Sequence, residues 1–115
     1  MEVREAAQRW ADVWERGWRE QDREAIAALY ADGALWLQHP FRAPESDYLK
    51  RIFDEEESAD CEFGVPLVDG DQAAVPWNGQ TTLVDGGTEV LVGVSLLRFD
   101  DDGLVVEQRD IWVAR

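Results

Sequence analysis

The chain has 115 residues, a net charge of −14 and an apolar fraction of 45%. This length predicts a single domain over residues 1–115, and the apolar content is sufficient for a core, which argues against disorder. With 25 acidic and only 11 basic residues, the chain lacks the basic patch that nucleic acids or anionic membranes require, so we expect neither as a partner.

The N-terminal residues and the cysteine content indicate a cytoplasmic protein. Residues 1–5 contain no apolar signal region, and no run of about 18 apolar residues occurs anywhere. Cys61 is the only cysteine, which excludes an intrachain disulfide and a zinc site built on cysteines. The sequence also has no Gly-rich phosphate loop, metal-ligand cluster or nucleotide fingerprint, so we expect no cofactor.

The first half of the chain has helical spacing. Apolar residues recur every three or four positions from Val3 to Trp18, which predicts a first helix. Asp22 is a suitable N-cap for a second helix, and Gly33 is typical of a helix C-terminus. We then expect a short strand over 34–39 and a third helix carrying the apolar residues of 48–53.

The second half of the chain has strand patterning. Three separators of the Asp-Gly type, at 69–71, 85–87 and 101–103, have hairpin chemistry. They divide the extended runs 60–69, 72–84, 88–100 and 103–114. Helices followed by an antiparallel meander form an α+β pattern, in which the sheet wraps around the first helix and encloses a pocket. The acidic runs 54–57 and 100–102 are interpreted as a solvated helix end and a hairpin tip rather than as cation sites.

Three segments of the chain, 28–41, 77–80 and 97–112, together resemble SnoaL-like proteins of the nuclear-transport-factor-2-like superfamily. Ketosteroid isomerase and polyketide cyclases are among the relatives. The resemblance implies a cone-shaped, cystatin-like α+β fold with N-terminal helices packed on a curved antiparallel sheet around one pocket. It does not imply one function, because the superfamily contains isomerases, cyclases, dehydratases, hydrolases and non-catalytic binders.

The comparison with ketosteroid isomerase identifies positions rather than a mechanism. When the same segments are matched, His39 occupies the position of the enzyme's general base. Trp14 and Ser95 occupy the positions of its oxyanion donors. All three residue types differ from those of the enzyme, so its mechanism does not carry over, although a pocket in the same place does.

Strand alternation and the resemblance together predict the pocket lining. If the hairpin turn centres on Gly86, Trp77 lies opposite Ser95 and both point to one face. The resemblance places the Gln108, Asp110 and Trp112 face inward. The expected lining comprises Trp14, Trp18, Phe41, Trp77, Ser95, Gln108 and Trp112.

The candidate catalytic residues are His39 and Asp110. His39 is the only histidine and could act as a general acid or base. Asp110 could orient its imidazole as the second member of a dyad. The alternatives are a structural histidine that shapes the turn before Pro40 and an aspartate bonded to Arg or Trp for structure alone.

Three interpretations of function remain open at this point. The first is a cofactor-independent enzyme that performs isomerase, cyclase, dehydratase or hydrolase-type proton-transfer chemistry on a small hydrophobic or aromatic compound. The second is a non-catalytic binding or carrier protein, and the third is a dimerisation or assembly module with a filled cone. We also expect a homodimer through the sheet, because the outward positions Val90, Val92, Val94 and Leu96 are apolar.

Overall fold

Three helices and six strands make up the fold, which the computed structural model describes over all of residues 1–115. The helices are α1 (Val3–Glu20), α2 (Arg23–Ala27) and α3 (Tyr48–Glu55). The strands are β1 (Tyr30–Leu37), β2 (Glu56–Phe63), β3 (Leu67–Asp69), β4 (Gln72–Leu83), β5 (Thr88–Phe99) and β6 (Val105–Ala114). None of the helices combines the length and apolar character needed to cross a membrane.

The strands form one curved, open sheet in the order β1-β6-β5-β4-β2, with β3 beside β4. No helix follows α3, so the predicted α+β architecture, with helices before a strand-rich second half, is confirmed. The expectation of a purely antiparallel sheet is wrong for one pair, because β1 runs parallel to β6. The sheet is therefore mixed.

Helix α1 lies across the concave side of the sheet because one of its faces is apolar. Its buried residues are Ala6, Ala7, Trp10, Ala11, Trp14, Gly17 and Trp18. The helix ends at Gln21, which takes a left-handed conformation with φ of 54°. The Gln21 side-chain amide donates to the carbonyls of Phe53 and Glu56. These bonds fix the end of α1 to the junction of α3 and β2.

The segment after α1 differs from the sequence prediction. Asp22 caps α2 as expected, since its carboxylate accepts from the Ala25 N–H, but the helix ends at Ala27. The chain begins to pair with β6 at Tyr30. Gly33, with φ of 74°, lies in a bulge of β1 and does not end a helix. A left-handed residue is as useful in a bulge as at a helix end, so the glycine signal alone did not distinguish the two.

Gly93 is required where β5 passes between two tryptophan-bearing strands. It pairs with Trp77 on one side and Trp112 on the other. A Cβ at this position would lie 2.6 Å from the Ile111 carbonyl oxygen and 2.6 Å from Trp112 Cβ. Both neighbours belong to or adjoin the backbone and cannot rotate away.

We therefore predict that Gly93→Ala destabilises the protein by about 1–3 kcal/mol, the usual cost of overpacking. The matched control is Gly87→Ala, whose Cβ would meet at closest the end of the flexible Asp85 side chain at 3.0 Å. Urea denaturation followed by far-UV circular dichroism measures both changes. Equal stability of the two variants would contradict the prediction.

Candidate functional site

A cavity of about 300 Å³ lies between α1 and the concave face of the sheet. All six tryptophans of the chain line it. They come from α1 (Trp10, Trp14, Trp18), β1 (Trp36), β4 (Trp77) and β6 (Trp112). Phe63 and Tyr48 extend the aromatic wall. The rings meet mostly edge to face, as between Trp18 and Trp77 at 5.8 Å and 78°, an arrangement that aromatic pairs favour.

Every tryptophan ring N–H has a hydrogen-bond acceptor within the protein. Two of them lie apart from the others: Trp18 donates to the Glu56 carboxylate at 2.9 Å, and Trp112 donates to the Gln38 carbonyl at 2.7 Å. The other four donate into one connected set of polar side chains. Buried indole N–H groups require such partners, so this set is a condition for the aromatic wall.

Asp110 is the centre of that polar set. The Ser95 hydroxyl donates to Asp110 Oδ1 at 2.6 Å, and the Trp36 ring N–H donates to Oδ2 at 2.7 Å. The Gln108 amide donates to Oδ1 at 3.0 Å. Ser95 Oγ in turn accepts from the Trp77 ring N–H at 3.0 Å. The carboxyl group on β6 is therefore hydrogen-bonded directly to side chains of β5 and β1, and through Ser95 Oγ to a side chain of β4.

Gln108 extends the set towards α1. Its side-chain oxygen accepts from the Trp10 ring N–H at 3.1 Å and from the Tyr30 hydroxyl. The Tyr30 oxygen accepts from the Trp14 ring N–H at 3.1 Å. A single amide thus connects the helix tryptophans to the carboxylate on β6, and all of these polar groups are satisfied inside the core.

Burial raises the pKa of the Asp110 carboxyl to about 6. The residue is 8% exposed, and removal of a charge from water disfavours the ionised form. Hydrogen bonds from Ser95, Trp36 and Gln108 act in the opposite direction by stabilising the carboxylate, but they do not cancel the effect of burial. Asp110 is consequently a carboxyl group that changes its charge close to neutral pH.

Glu56 is a second acid in the cavity lining. Its pKa is also raised to about 6, chiefly by burial, against the hydrogen bond from Trp18. The interpretation of residues 54–57 as a solvated helix end is therefore wrong for Glu56. The reason is that α3 ends at Glu55 and β2 begins at once, which turns this side chain inward, whereas the sequence indicated a strand only from about residue 60.

The structure brings most of the predicted lining together. Trp14, Trp18, Trp77, Ser95, Gln108, Asp110 and Trp112 all line the cavity. The predicted pairing of β4 with β5 is shifted, because Trp77 lies opposite Gly93 and Ser95 lies opposite Val75. The hairpin centre is one residue earlier than expected, which moves each partner by two positions and leaves the inward face unchanged.

His39 and Phe41 lie outside the cavity lining, and the expected pairing of His39 with Asp110 is not formed. His39 Nδ1 accepts from the Phe41 N–H at 3.1 Å, and the imidazole packs edge to face on Trp112 with centroids 5.0 Å apart. Phe41 is 93% exposed. The preceding Gln38 is buried, and its side-chain amide donates to the Glu45 carbonyl and accepts from the Glu45 N–H. These bonds hold the segment that follows the end of β1 at Leu37, in which His39 lies outside the cavity lining.

Several residues that the sequence did not indicate as lining also face the cavity, namely Trp10, Trp36, Tyr48, Glu56, Thr81 and Glu89. The sequence did contain a sign of the role of Trp36, because a tryptophan that points inward from β1 needs a buried hydrogen-bond acceptor for its ring N–H. No group of three or more His, Cys, Asp or Glu side chains is arranged to hold a metal ion.

Comparisons with known proteins agree with the fold described above. A family model described as the SnoaL-like domain matches residues 7–108. A search of curated proteins gives no significant match.

Several solved structures have the same nuclear-transport-factor-2-like fold. A protein of unknown function from Exiguobacterium sp. 255-15 is 16% identical, with a TM-score of 0.76 over 94% of this chain and 98% of that one. A similar protein of unknown function from Burkholderia pseudomallei K96243 is 16% identical, with a TM-score of 0.75 over 96% and 90%. TsrD from Streptomyces laurentii is 16% identical, with a TM-score of 0.76 over 95% and 89%. These identities establish the fold alone.

The raised pKa of Asp110 predicts a pH dependence of stability. In the unfolded chain an aspartate has a pKa of about 3.9, so the unfolded state loses this proton first as the pH rises. The contribution of Asp110 should thus be most favourable below about pH 4, decline up to about pH 6 and stay constant above. The difference of about two pH units corresponds to about 3 kcal/mol.

Chemical denaturation of the wild type and of Asp110→Asn between pH 4 and 7 measures this effect. The wild type should lose about 2 kcal/mol more than the variant over that range, because the unfolded aspartate is already about half ionised at pH 4. The raised pKa of Glu56 acts in the same direction in both proteins and cancels in the comparison. Parallel pH profiles would show that Asp110 has an ordinary pKa in the folded state.

Proposed function

This chain belongs to the SnoaL-like domain family, and from that premise we propose that it is a cofactor-independent enzyme in which Asp110 exchanges a proton with a small, flat, apolar compound. The observation that carries the proposal is a buried carboxyl group, with a pKa of about 6, in the wall of an aromatic cavity. A general acid or base is most effective when its pKa lies near the working pH.

The volume and the aromatic lining of the cavity support a small-ligand site. Its volume of about 300 Å³ is at the lower end of the range for ligand pockets. Indole walls favour a planar ligand, and exclusion of water strengthens the electrostatic interactions inside. A bicyclic aromatic compound is the size class that we expect.

Tyr48 is suited to bind an oxygen atom of such a ligand. It is the only tyrosine that lines the cavity, and its ring packs edge to face on Trp36 with centroids 5.2 Å apart. Burial raises the pKa of Tyr48 to about 12, which keeps the hydroxyl protonated as a donor. When the Asp110 carboxylate takes a proton from a carbon next to a ligand carbonyl, Tyr48 can donate a hydrogen bond to the resulting enolate oxygen. The proton on Asp110 then exchanges with solvent, and Asp110 returns a proton, or a deuteron in D₂O, to carbon.

A carrier without turnover is the second candidate, and one observation favours it. Both Asp110 oxygens already accept hydrogen bonds, from Ser95, Trp36 and Gln108. In a carrier, the role of this carboxylate would be to hold these donors in place, without any proton transfer to the ligand. A purely structural assembly role has less support, because it requires a filled cone rather than a cavity.

Deuterium exchange distinguishes the enzyme from the carrier. Bicyclic aryl ketones such as 1-indanone and 1-tetralone are incubated with the protein in D₂O, and NMR follows the loss of the protons next to the carbonyl. We expect exchange above the buffer rate for the wild type. Asp110→Asn should lower the catalysed rate by about 10²–10⁴-fold, the usual contribution of general acid–base catalysis.

The matched control for this experiment is Asp60→Asn, since Asp60 is an exposed aspartate on β2, which β5 and β4 separate from β6. It should leave the exchange rate unchanged. Full exchange activity in Asp110→Asn would overturn the catalytic proposal. Tight ketone binding without exchange in any of the proteins would establish the carrier instead.

We further propose that the outer face of the sheet pairs with a second copy of the chain. Two cross-strand pairs on this face are apolar, Val92 with Val113 and Val94 with Ile111. Val92 is 56% exposed and Val113 is 72% exposed. In a chain of net charge −14, this patch in the middle of the sheet is uncharged, and a copy of itself is a complementary partner under two-fold symmetry.

Sedimentation velocity at micromolar concentration should therefore give a dimer. Val92→Asp should shift it to a monomer, because the substitution places two like charges near the symmetry axis. Val65→Asp alters an equally exposed valine (76%) outside this face and should leave the dimer intact. A monomeric wild type would contradict the proposal.

A further inference from the structure

Thr81 on β4 has a buried hydroxyl group without a hydrogen-bond partner. The residue is 2% exposed, it lines the cavity, and its Oγ1 bonds to no protein atom. Ser95, the other buried hydroxyl in the lining, both donates and accepts. A buried hydroxyl that lacks a partner carries a desolvation penalty that nothing offsets, so Thr81 Oγ1 is expected to bond to something that enters the cavity.

We propose that Thr81, Glu56 and Glu89 form a second polar subsite, which binds the ammonium group of an aromatic amine. This inference rests on the proposed function only in assuming that the cavity takes a small molecule. It adds the chemical class of that molecule, a flat aromatic body with a protonated amine at one end.

Carboxylates surround Thr81 on the inner face of the sheet. Glu89 lies directly opposite Thr81 on β5, which places their Cβ atoms about 5 Å apart. Glu56 lies opposite Leu83, two residues from Thr81 on the same face. An ammonium group has three N–H donors and no acceptor, and one hydroxyl oxygen with two carboxylates supplies three acceptors.

The negative charge of this end of the cavity is not neutralised by the protein. The lining has two cations. Glu45 and Glu55 already bind Arg51 at 2.6 and 3.1 Å, and Arg42 packs over the Trp112 ring at 5.2 Å from its centroid. The mutual repulsion of Glu56 with Glu89 and Glu55 adds to burial in raising the pKa of Glu56. A bound cation would relieve this repulsion, whereas a bound anion would increase it.

The aromatic wall beside the subsite also favours a cation. Trp18 reaches this end because β4 has a glycine there, and a Cβ at Gly79 would lie 2.5 Å from Trp18 Cη2. The Trp18 N–H points to Glu56, while its ring packs against Trp77 and Phe63. Indole faces attract ammonium groups through their quadrupole.

The subsite is separate from the Asp110 centre. Ser95 and Asp110 pair with each other at the level of Val75 on β4, six residues from Thr81. At about 3.3 Å per residue, roughly 20 Å of strand separates the two levels. A ligand held by its amine at Thr81 would therefore extend its aromatic body along the tryptophans towards Asp110.

Three probes of matched shape and different charge test the proposal by isothermal titration calorimetry at pH 7. They are 4-phenylbutylamine, 4-phenylbutan-1-ol and 4-phenylbutanoate. We expect the amine to bind at least about tenfold more tightly than the alcohol, the scale of hydrogen bonds to a charged group. The carboxylate probe should bind most weakly.

Thr81→Val removes the hydroxyl and retains the shape of the side chain. It should reduce the amine affinity by about tenfold and the alcohol affinity less. It should also raise the thermal midpoint of the ligand-free protein, because an unpartnered buried hydroxyl is lost. Thr82→Val is the matched control, since the adjacent threonine points to the opposite face of β4. Glu89→Gln provides a second variant that should lower the amine preference.

Equal or tighter binding of the alcohol or the carboxylate would overturn the amine proposal and leave the small-molecule function intact. An unchanged amine affinity in both Thr81→Val and Glu89→Gln would do the same. Absence of binding by all three probes would count against the amine subsite, and exchange of the aryl ketones would still decide the Asp110 proposal independently.

Discussion

The need of the six indole N–H groups that line the cavity for hydrogen-bond acceptors constrains how the strands of this fold pair. Four of those groups are satisfied, directly or through Tyr30 and Gln108, by the side chains that meet at Asp110. The arrangement requires that Ser95 and Asp110 share a level on β5 and β6. A slip of one residue between these strands would turn Asp110 to the outer face and leave the Trp36 N–H without its acceptor, so the polar centre specifies the strand register as strongly as the apolar core does.

The same requirement accounts for the parallel pairing of β1 with β6. Trp36 lies beside Gln108 in that pairing, and its N–H reaches Asp110 across the cavity wall. An apolar side chain at residue 36 would place no such demand on β1. The bulge that contains Gly33 then absorbs the mismatch between Tyr30 at the start of the strand and Leu35 further along. The bulge in β1 and the hydrogen bond from Trp36 to Asp110 therefore act together to position this strand.

Sequence patterns predicted the elements whose signals are local. The α1 stripe and the Asp-Gly separators of the hairpins specify a helix and strands without reference to distant residues. The family resemblance, together with strand alternation, located Asp110 and Ser95. His39 was misplaced because its direction depends on Gln38, which is held by the backbone of Glu45 seven residues later. Glu56 was missed because its direction depends on where α3 yields to β2, and helical and strand propensities change too gradually there to fix a boundary. Both errors concern side chains whose orientation is decided by tertiary contacts.

The two polar regions of the cavity differ in a way that bears on their roles. At Asp110 the protein itself supplies donors for the carboxylate, so this region is organised before any ligand enters, as a proton-transfer group requires. At Thr81 the protein leaves a buried hydroxyl group without a hydrogen-bond partner, a condition that costs stability. Proteins retain such costs mainly where function needs them. The complete region is therefore suited to chemistry and the incomplete one to recognition, and a ligand whose amine binds at Thr81 would extend its aromatic body along the tryptophans that lie between the two regions.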